Sequence, residues 1–98
     1  MSDNFPPPTL TIELAKPVNF DGREYVQLIL REPTAKEVLS ALEHIRNGQN
    51  GHSVRNMEMH LVAKAAGVPL PVIEQIPISA LFRAMEYIST FLAGSPTI

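Results

Sequence analysis

The chain has 98 residues, enough for one domain with its own core but too few for two independent cores. A hydrophobic content of 45% and a charged content of 18% are ordinary for a globular domain and argue against a disordered chain or a coiled coil. Eight basic against ten acidic side chains leave no strong positive field, so nucleic acid and anionic membranes are not expected partners. Because the sequence has no cysteine, it excludes disulfides, cysteine-bound metals and thiol catalysis.

The first eight residues carry three consecutive prolines and lack the basic and apolar regions of a signal peptide. No apolar run in the sequence approaches the roughly 20 residues of a membrane-spanning helix. Because proline donates no backbone hydrogen bond and favours an extended conformation, we expect residues 1–8 to form a disordered arm. We expect a cytoplasmic protein.

A β-hairpin is predicted over residues 9–31. Apolar and polar side chains alternate over residues 9–14 with the two-residue period of a half-buried strand, and a second strand follows at 25–30. Between them, Asp21-Gly22 tolerates the positive φ angles of a type I′ turn.

The register of this hairpin indicates a bulge. A two-residue loop would place Leu14 opposite Ile29, so the apolar side chains of the first strand would face away from Leu28 and Leu30. One extra residue near Pro17 would bring both sets onto the same face, and proline is tolerated at bulges. We therefore predict a one-residue bulge at Pro17.

Helical spacing of apolar residues continues to the end of the chain. The predicted helices cover residues 35–47, 54–66, 71–76 and 79–93, and 95–98 is a predicted frayed tail. The predicted fold class is α+β, with an N-terminal antiparallel β-hairpin followed by a small bundle of three main helices plus one short helix. A single domain is expected over residues 9–94.

Local side-chain patterns define the predicted helix ends. Thr34 and Glu37 have the spacing of a capping box, and Ser53 and Ser79 are the predicted N-caps of the second and last helices. The predicted stops are the glycines that follow three of the helices, Gly48, Gly67 and Gly94. The first helix is expected to pack inward through one apolar face, which comprises Ala35, Val38, Leu39, Ala41, Leu42 and Ile45.

No catalytic or metal-binding constellation is predicted. The histidines at 44, 52 and 60 lack the spacing of a same-face ligand pair, so we interpret them as surface residues. The sequence has no nucleophile elbow, phosphate-binding loop or dinucleotide fingerprint, and its glutamates resemble helix-start and surface carboxylates. We expect no enzymatic activity and no cofactor.

A helix-turn-helix interpretation of residues 61–76 is the main alternative class, a small DNA-binding regulator. Residues 61–69 are similar to the first helix and glycine turn of bacterial repressors. The recognition helix would then be 71–76, which has no lysine or arginine, contains Glu74 and is stopped by Pro77. These contact requirements argue against the repressor.

The last predicted helix has two apolar stripes. The expected core stripe comprises Ile78, Leu81, Phe82, Met85, Ile88 and Leu92. A second stripe of Ala80, Ala84, Tyr87 and Phe91 is either buried in a central helix or forms a surface for a partner or for self-association. We take these four residues as the candidate partner-binding site.

Three segments resemble the N-terminal signature of a tail assembly chaperone family of Mu-like contractile-tailed phages and prophages. They are Leu10 to Pro17, Phe20 to Tyr25 and Leu28 to Thr34. Downstream, Gly67-Val68-Pro69, Ile73 to Ile76 and the terminal apolar helix are similar to the end of that family's sequences, with Val68 where leucine is frequent. The resemblance covers most of residues 9–93.

The resemblance implies a non-enzymatic assembly factor that coats the long helical tape measure protein and delivers it to polymerising tail tube subunits. It implies a location in the host cytoplasm and absence from the mature virion. Further candidate partners are a frameshifted longer form of the chain and a second copy in a homo-oligomer. A general protein-interaction adaptor is an additional alternative.

Residues within the recognisable signature have ordinary structural roles. Asp21-Gly22 makes the turn, Pro33-Thr34 sets the helix start, and Arg31 is expected to be solvated at the strand end. We therefore interpret them as structural residues rather than binding residues.

Overall fold

In the computed structural model, which describes residues 7–45 and 50–93, two antiparallel strands precede four α-helices. The strands are β1 (Thr9–Phe20) and β2 (Arg23–Arg31), and the helices are α1 (Ala35–Leu42), α2 (Gly51–Ala66), α3 (Leu70–Ile73) and α4 (Ile78–Ala93). A 3₁₀ turn, Glu43–Ile45, extends α1. The predicted α+β fold class is confirmed. The first six residues of the predicted arm, Gly48, Gly94 and the predicted tail at 95–98 lie outside the described residues.

The hairpin turn has the predicted conformation. Asp21 and Gly22 have φ angles of 54° and 79°, both in the left-handed region that a type I′ turn requires. Val18 therefore pairs with Tyr25 directly after the turn.

The bulge lies where it is predicted but is larger. Glu13 pairs with Gln27 and Val18 pairs with Tyr25, so residues 14–17 of β1 lie opposite Val26 alone. The excess is three residues rather than one. Because three is also an odd number, the shift still puts the apolar residues at the open end of the hairpin on one face. The resulting apolar pairs are Leu10 with Leu30 and Ile12 with Leu28. Val26 does not join this buried face and is 50% exposed.

The start of α1 is a capping box, as predicted. The Thr34 hydroxyl accepts a hydrogen bond from the backbone N–H of Glu37 at 3.1 Å, and the Glu37 carboxylate accepts one from the backbone N–H of Thr34 at 2.9 Å. The apolar face of α1 is only partly covered. Ala41 is buried, whereas Leu39 is 66% and Leu42 40% exposed, which corrects the predicted inward face.

Arg31 connects three elements and is more than a solvated strand end. Its guanidinium donates two hydrogen bonds to the Glu37 carboxylate, at 2.9 and 2.8 Å, and one to the Lys64 carbonyl near the end of α2 at 3.2 Å. The hydrogen bonds from Arg31, and then the one from the backbone N–H of Thr34, lower the pKa of Glu37 to about 2. The end of β2, the start of α1 and the end of α2 therefore meet at one side chain.

The helix α2 begins earlier than predicted. Asn50, not Ser53, is the N-cap; its side chain accepts from the backbone N–H of Ser53 at 2.9 Å, and the Ser53 hydroxyl accepts from the backbone N–H of Asn50. Gly67 ends α2 with a φ of 68°, as its predicted stop role requires.

The last two helices also differ from prediction at their ends. The short α3 ends at Ile73 rather than at residue 76. Ser79 lies within α4 rather than capping it. The backbone N–H groups of Ala80 and Leu81 donate to the Pro77 carbonyl, at 3.0 and 3.2 Å, so the helix begins directly after Pro77.

The core lies between one face of the hairpin and the helices α2, α3 and α4. Helix α2 packs on β2, while α3 and α4 pack on β1, and α2 also contacts α1 and α4. Each large aliphatic side chain buried in this core contributes about 1.5–3 kcal/mol of transfer free energy. The largest of the fully buried side chains are Ile12, Leu28, Leu30, Leu61, Val62, Val72, Ile73 and Ile88.

Candidate interaction surfaces

The structure places the predicted partner-binding stripe of α4 mostly in the core. Ala80 is 6% exposed, Ala84 0% and Tyr87 6%, and Phe91 is half-buried. The two aromatic rings meet edge to face with centroids 5.1 Å apart. Of the two alternatives open for this stripe, burial in a central helix therefore holds for Ala80, Ala84 and Tyr87, whereas contact of these four residues with a partner stays a prediction.

Tyr87 also holds the chain entering β1. Its hydroxyl donates a hydrogen bond to the Pro7 carbonyl at 2.8 Å. Burial, and then the charge of Glu32, raises the pKa of Tyr87. The predicted proline arm is thus tied to α4 at Pro7.

The exposed apolar side chains of α4 come from the stripe that sequence analysis assigned to the core. Leu81 and Ile88 of that stripe are buried, but Ile78 is 57% exposed, Phe82 48% and Leu92 45%. The buried face of α4 therefore combines residues of both stripes, and its two alanines, Ala80 and Ala84, let the backbone of the helix approach its neighbours closely.

These residues form a continuous line along α4, which we call the α4 strip. Its members recur at alternating spacings of four and three residues, Ile78, Phe82, Met85, Ser89 and Leu92. This is the 3.5-residue repeat by which two helices pack along a common seam, with Ser89 as one polar position. At 1.5 Å per residue, the strip is about 21 Å long.

A charged pair borders the α4 strip on the side of α2. The guanidinium carbon of Arg55 lies 5.1 Å from the centroid of the Phe82 ring, within reach of a cation–π interaction. Arg55 also donates a hydrogen bond to Glu58 at 2.7 Å. One edge of the strip is therefore polar, as in the rim of a protein interface.

The histidines show a pairing that the sequence does not indicate. His44 and His60 stack with ring centroids 3.8 Å apart and ring planes 16° from parallel. The imidazole lone pairs lie in the ring planes, so stacked rings do not direct them toward a common ion. Within residues 7–45 and 50–93, no group of three or more histidine, cysteine, aspartate or glutamate side chains could hold a metal ion.

The region of the helix-turn-helix alternative has little free helix surface. The helix α3 is four residues long, and two of them, Val72 and Ile73, are buried in the core. A recognition helix needs an exposed face that enters the DNA major groove. The geometry therefore gives the repressor interpretation no support.

The family model described as "phage tail assembly chaperone proteins, E, or 41 or 14" matches residues 11–93. The chain belongs to this family. The resemblance seen in the sequence is thereby confirmed, and with it a chaperone role in phage tail assembly. No curated protein and no solved structure matches the chain.

No helix in the described part of this tail assembly chaperone is long and apolar enough to cross a bilayer.

The features that the sequence did not reveal are the exposure of the α4 strip, the histidine stack and the three-element contact of Arg31. For the strip, the available signal was the alternating four-and-three spacing. The other two features arise from pairs far apart in the chain.

Proposed function

We propose that this tail assembly chaperone binds the tape measure protein and shields its apolar helices until the tail tube assembles around it. Membership of the family supports the chaperone role, and the observation that carries the proposed binding is the exposed α4 strip. In this proposal the chain acts without catalysis in the host cytoplasm and is absent from the finished virion.

The strip has the chemistry that helix binding requires. Its three large exposed side chains, Ile78, Phe82 and Leu92, are each about half accessible, so a partner would remove a substantial apolar area from water. A partner helix with apolar residues at the same 3.5-residue period would interdigitate along the strip at a shallow crossing angle. This is helix recognition by an apolar surface with a polar margin.

The four residues chosen from the sequence have a different place in the proposal. Contact with Ala80, Ala84 or Tyr87 would require α4 to separate from its neighbours, whereas Phe91 is half-buried and remains a candidate contact. We propose that the first three support the strip from the core side. A second copy and a frameshifted longer form of the chain remain proposed partners.

The test is co-purification of the chaperone with a co-expressed fragment of the tape measure protein. We expect Phe82→Asp combined with Leu92→Asp to abolish capture, because two charges would be desolvated in the contact. Leu39→Asp is the matched control, since Leu39 is exposed on α1 and lies outside the strip.

Capture that survives the double substitution would contradict the proposed surface, and so would equal loss in the Leu39→Asp control. The unfolding transition of each variant is measured alongside, so that a binding defect is separated from a folding defect. Size measurement of the purified chain tests whether the same substitutions also disrupt self-association.

A further inference from the structure

An open depression of about 520 Å³ lies away from the α4 strip. It is bounded by the start of β2, the C-terminal half of α2 and the segment that leads into α3. Three basic side chains line it, Arg23, His60 and Lys64, together with Tyr25. No aspartate or glutamate of the described residues belongs to its lining.

Two of these basic groups have no carboxylate partner within the described part of the chain. The ion pairs there involve Arg31 with Glu37 and Arg55 with Glu58, and neither Arg23 nor Lys64 takes part. The guanidinium carbon of Arg23 lies 5.4 Å from the centroid of the Tyr25 ring, which restricts its position at the rim. The depression therefore presents two positive charges that a bound anion would neutralise.

The third basic group, His60, is positively charged only when its imidazole takes up a proton. His60 is half-buried and stacked on His44, and burial, followed by the charges of His44 and Lys64, lowers its pKa. Glu74 is the acidic group that acts on it in the opposite direction. Arg23 lines the same depression and adds positive charge. An anion placed between these groups would favour the protonated imidazole.

The remaining lining selects among anions. Val68, Pro69 and Leu70 contribute apolar wall on the side of α3. A compact, fully hydrated anion such as inorganic phosphate would gain nothing from these side chains. A carboxylate on a hydrocarbon stem would contact both the cations and the apolar wall.

We propose that this depression binds an acidic side chain of a partner polypeptide, with Arg23 and Lys64 as the charged contacts and the 68–70 segment against its aliphatic stem. This site is separate from the α4 strip and does not depend on the tape measure protein being the partner. It would give the chaperone a charge-selective contact in addition to an apolar one.

The experiment is an NMR titration of the ¹⁵N-labelled full chain with two blocked peptides, one rich in glutamate and alanine and the other with glutamine in place of glutamate. We expect saturable shifts at the amides of His60, Lys64, Gly67, Val68 and Leu70 with the glutamate peptide and none with the glutamine peptide. Inorganic phosphate is titrated in parallel. Equal shifts with both peptides, or tighter binding of phosphate, would overturn the proposal.

Charge-removing variants locate the contact. Arg23→Gln with Lys64→Gln is expected to weaken the glutamate peptide roughly tenfold, because two charge-assisted contacts are lost. Lys36→Gln, on an exposed lysine of α1 outside the lining, is expected to leave affinity unchanged. Equal weakening by the Lys36 control would refute this assignment.

Discussion

The two apolar faces of α4 differ in exposure although both carry large side chains. The buried face combines two small residues, Ala80 and Ala84, with three large ones, Leu81, Tyr87 and Ile88. The α4 strip carries side chains of similar size, such as Ile78 and Phe82, and remains about half exposed. Total hydropathy therefore does not decide which face enters the core of this small domain. The alanines at 80 and 84 lie on the buried face, where their small side chains permit close approach of the backbone.

The largest expected contrast between the faces comes from introducing a charge on each. Tyr87→Asp would place a carboxylate in the core, and we expect a loss of more than about 3 kcal/mol in the free energy of unfolding, enough to unfold a marginal domain. Phe82→Asp on the strip should change that free energy by less than about 1 kcal/mol. Urea unfolding followed by circular dichroism measures both. Similar losses in the two variants would show that the strip is also part of the core.

A subtler contrast uses the same chemical change on both faces. Ile88→Ala removes a fully buried side chain and should cost about 2–5 kcal/mol, whereas Ile78→Ala, at a residue 57% exposed, should cost less than about 1 kcal/mol. The ratio of the two losses in urea unfolding reports how completely each face is covered. A larger loss at Ile78 than at Ile88 would reverse the assignment of the faces.

The smallest expected effect concerns the hydrogen bond from Tyr87 to the Pro7 carbonyl. Tyr87→Phe should cost about 0.5–1.5 kcal/mol of unfolding free energy. The raised pKa of Tyr87 means that the folded chain holds its phenolic proton more tightly than the unfolded chain does. Stability should therefore decline as the pH rises above about 10, where the unfolded phenol ionises.

The phenylalanine variant is also the control for that alkaline decline. It has no phenol at this position, so the part of the decline due to Tyr87 should disappear. An unchanged decline in the variant would assign the effect to another group.

Features fixed by neighbouring residues could be predicted from the sequence. The Asp21-Gly22 turn, the capping box of Thr34 and Glu37, and the stop at Gly67 each depend on a few adjacent backbone positions. The prediction of Ser53 as the N-cap of α2 is wrong, because Asn50 and Ser53 are both good capping residues, three positions apart. Asn50 is the one that starts the helix.

Features that depend on packing could not be predicted. Both stripes of α4 have helical spacing, so periodicity alone could not say which one faces inward. The bulge could be placed near Pro17 because an odd shift was needed, but an excess of one and an excess of three satisfy that condition equally. The contact of Arg31 with the Lys64 carbonyl joins residues far apart in the chain.

The odd excess at residues 14–17 limits how the first strand can change in length. Side chains alternate between the two sides of a strand, so losing a single residue there would turn Ile12 away from Leu28 and toward solvent. Losing two residues would keep Ile12 and Leu28 on the same face and would shorten the bulge. Insertions and deletions at this place are therefore expected to be tolerated in twos.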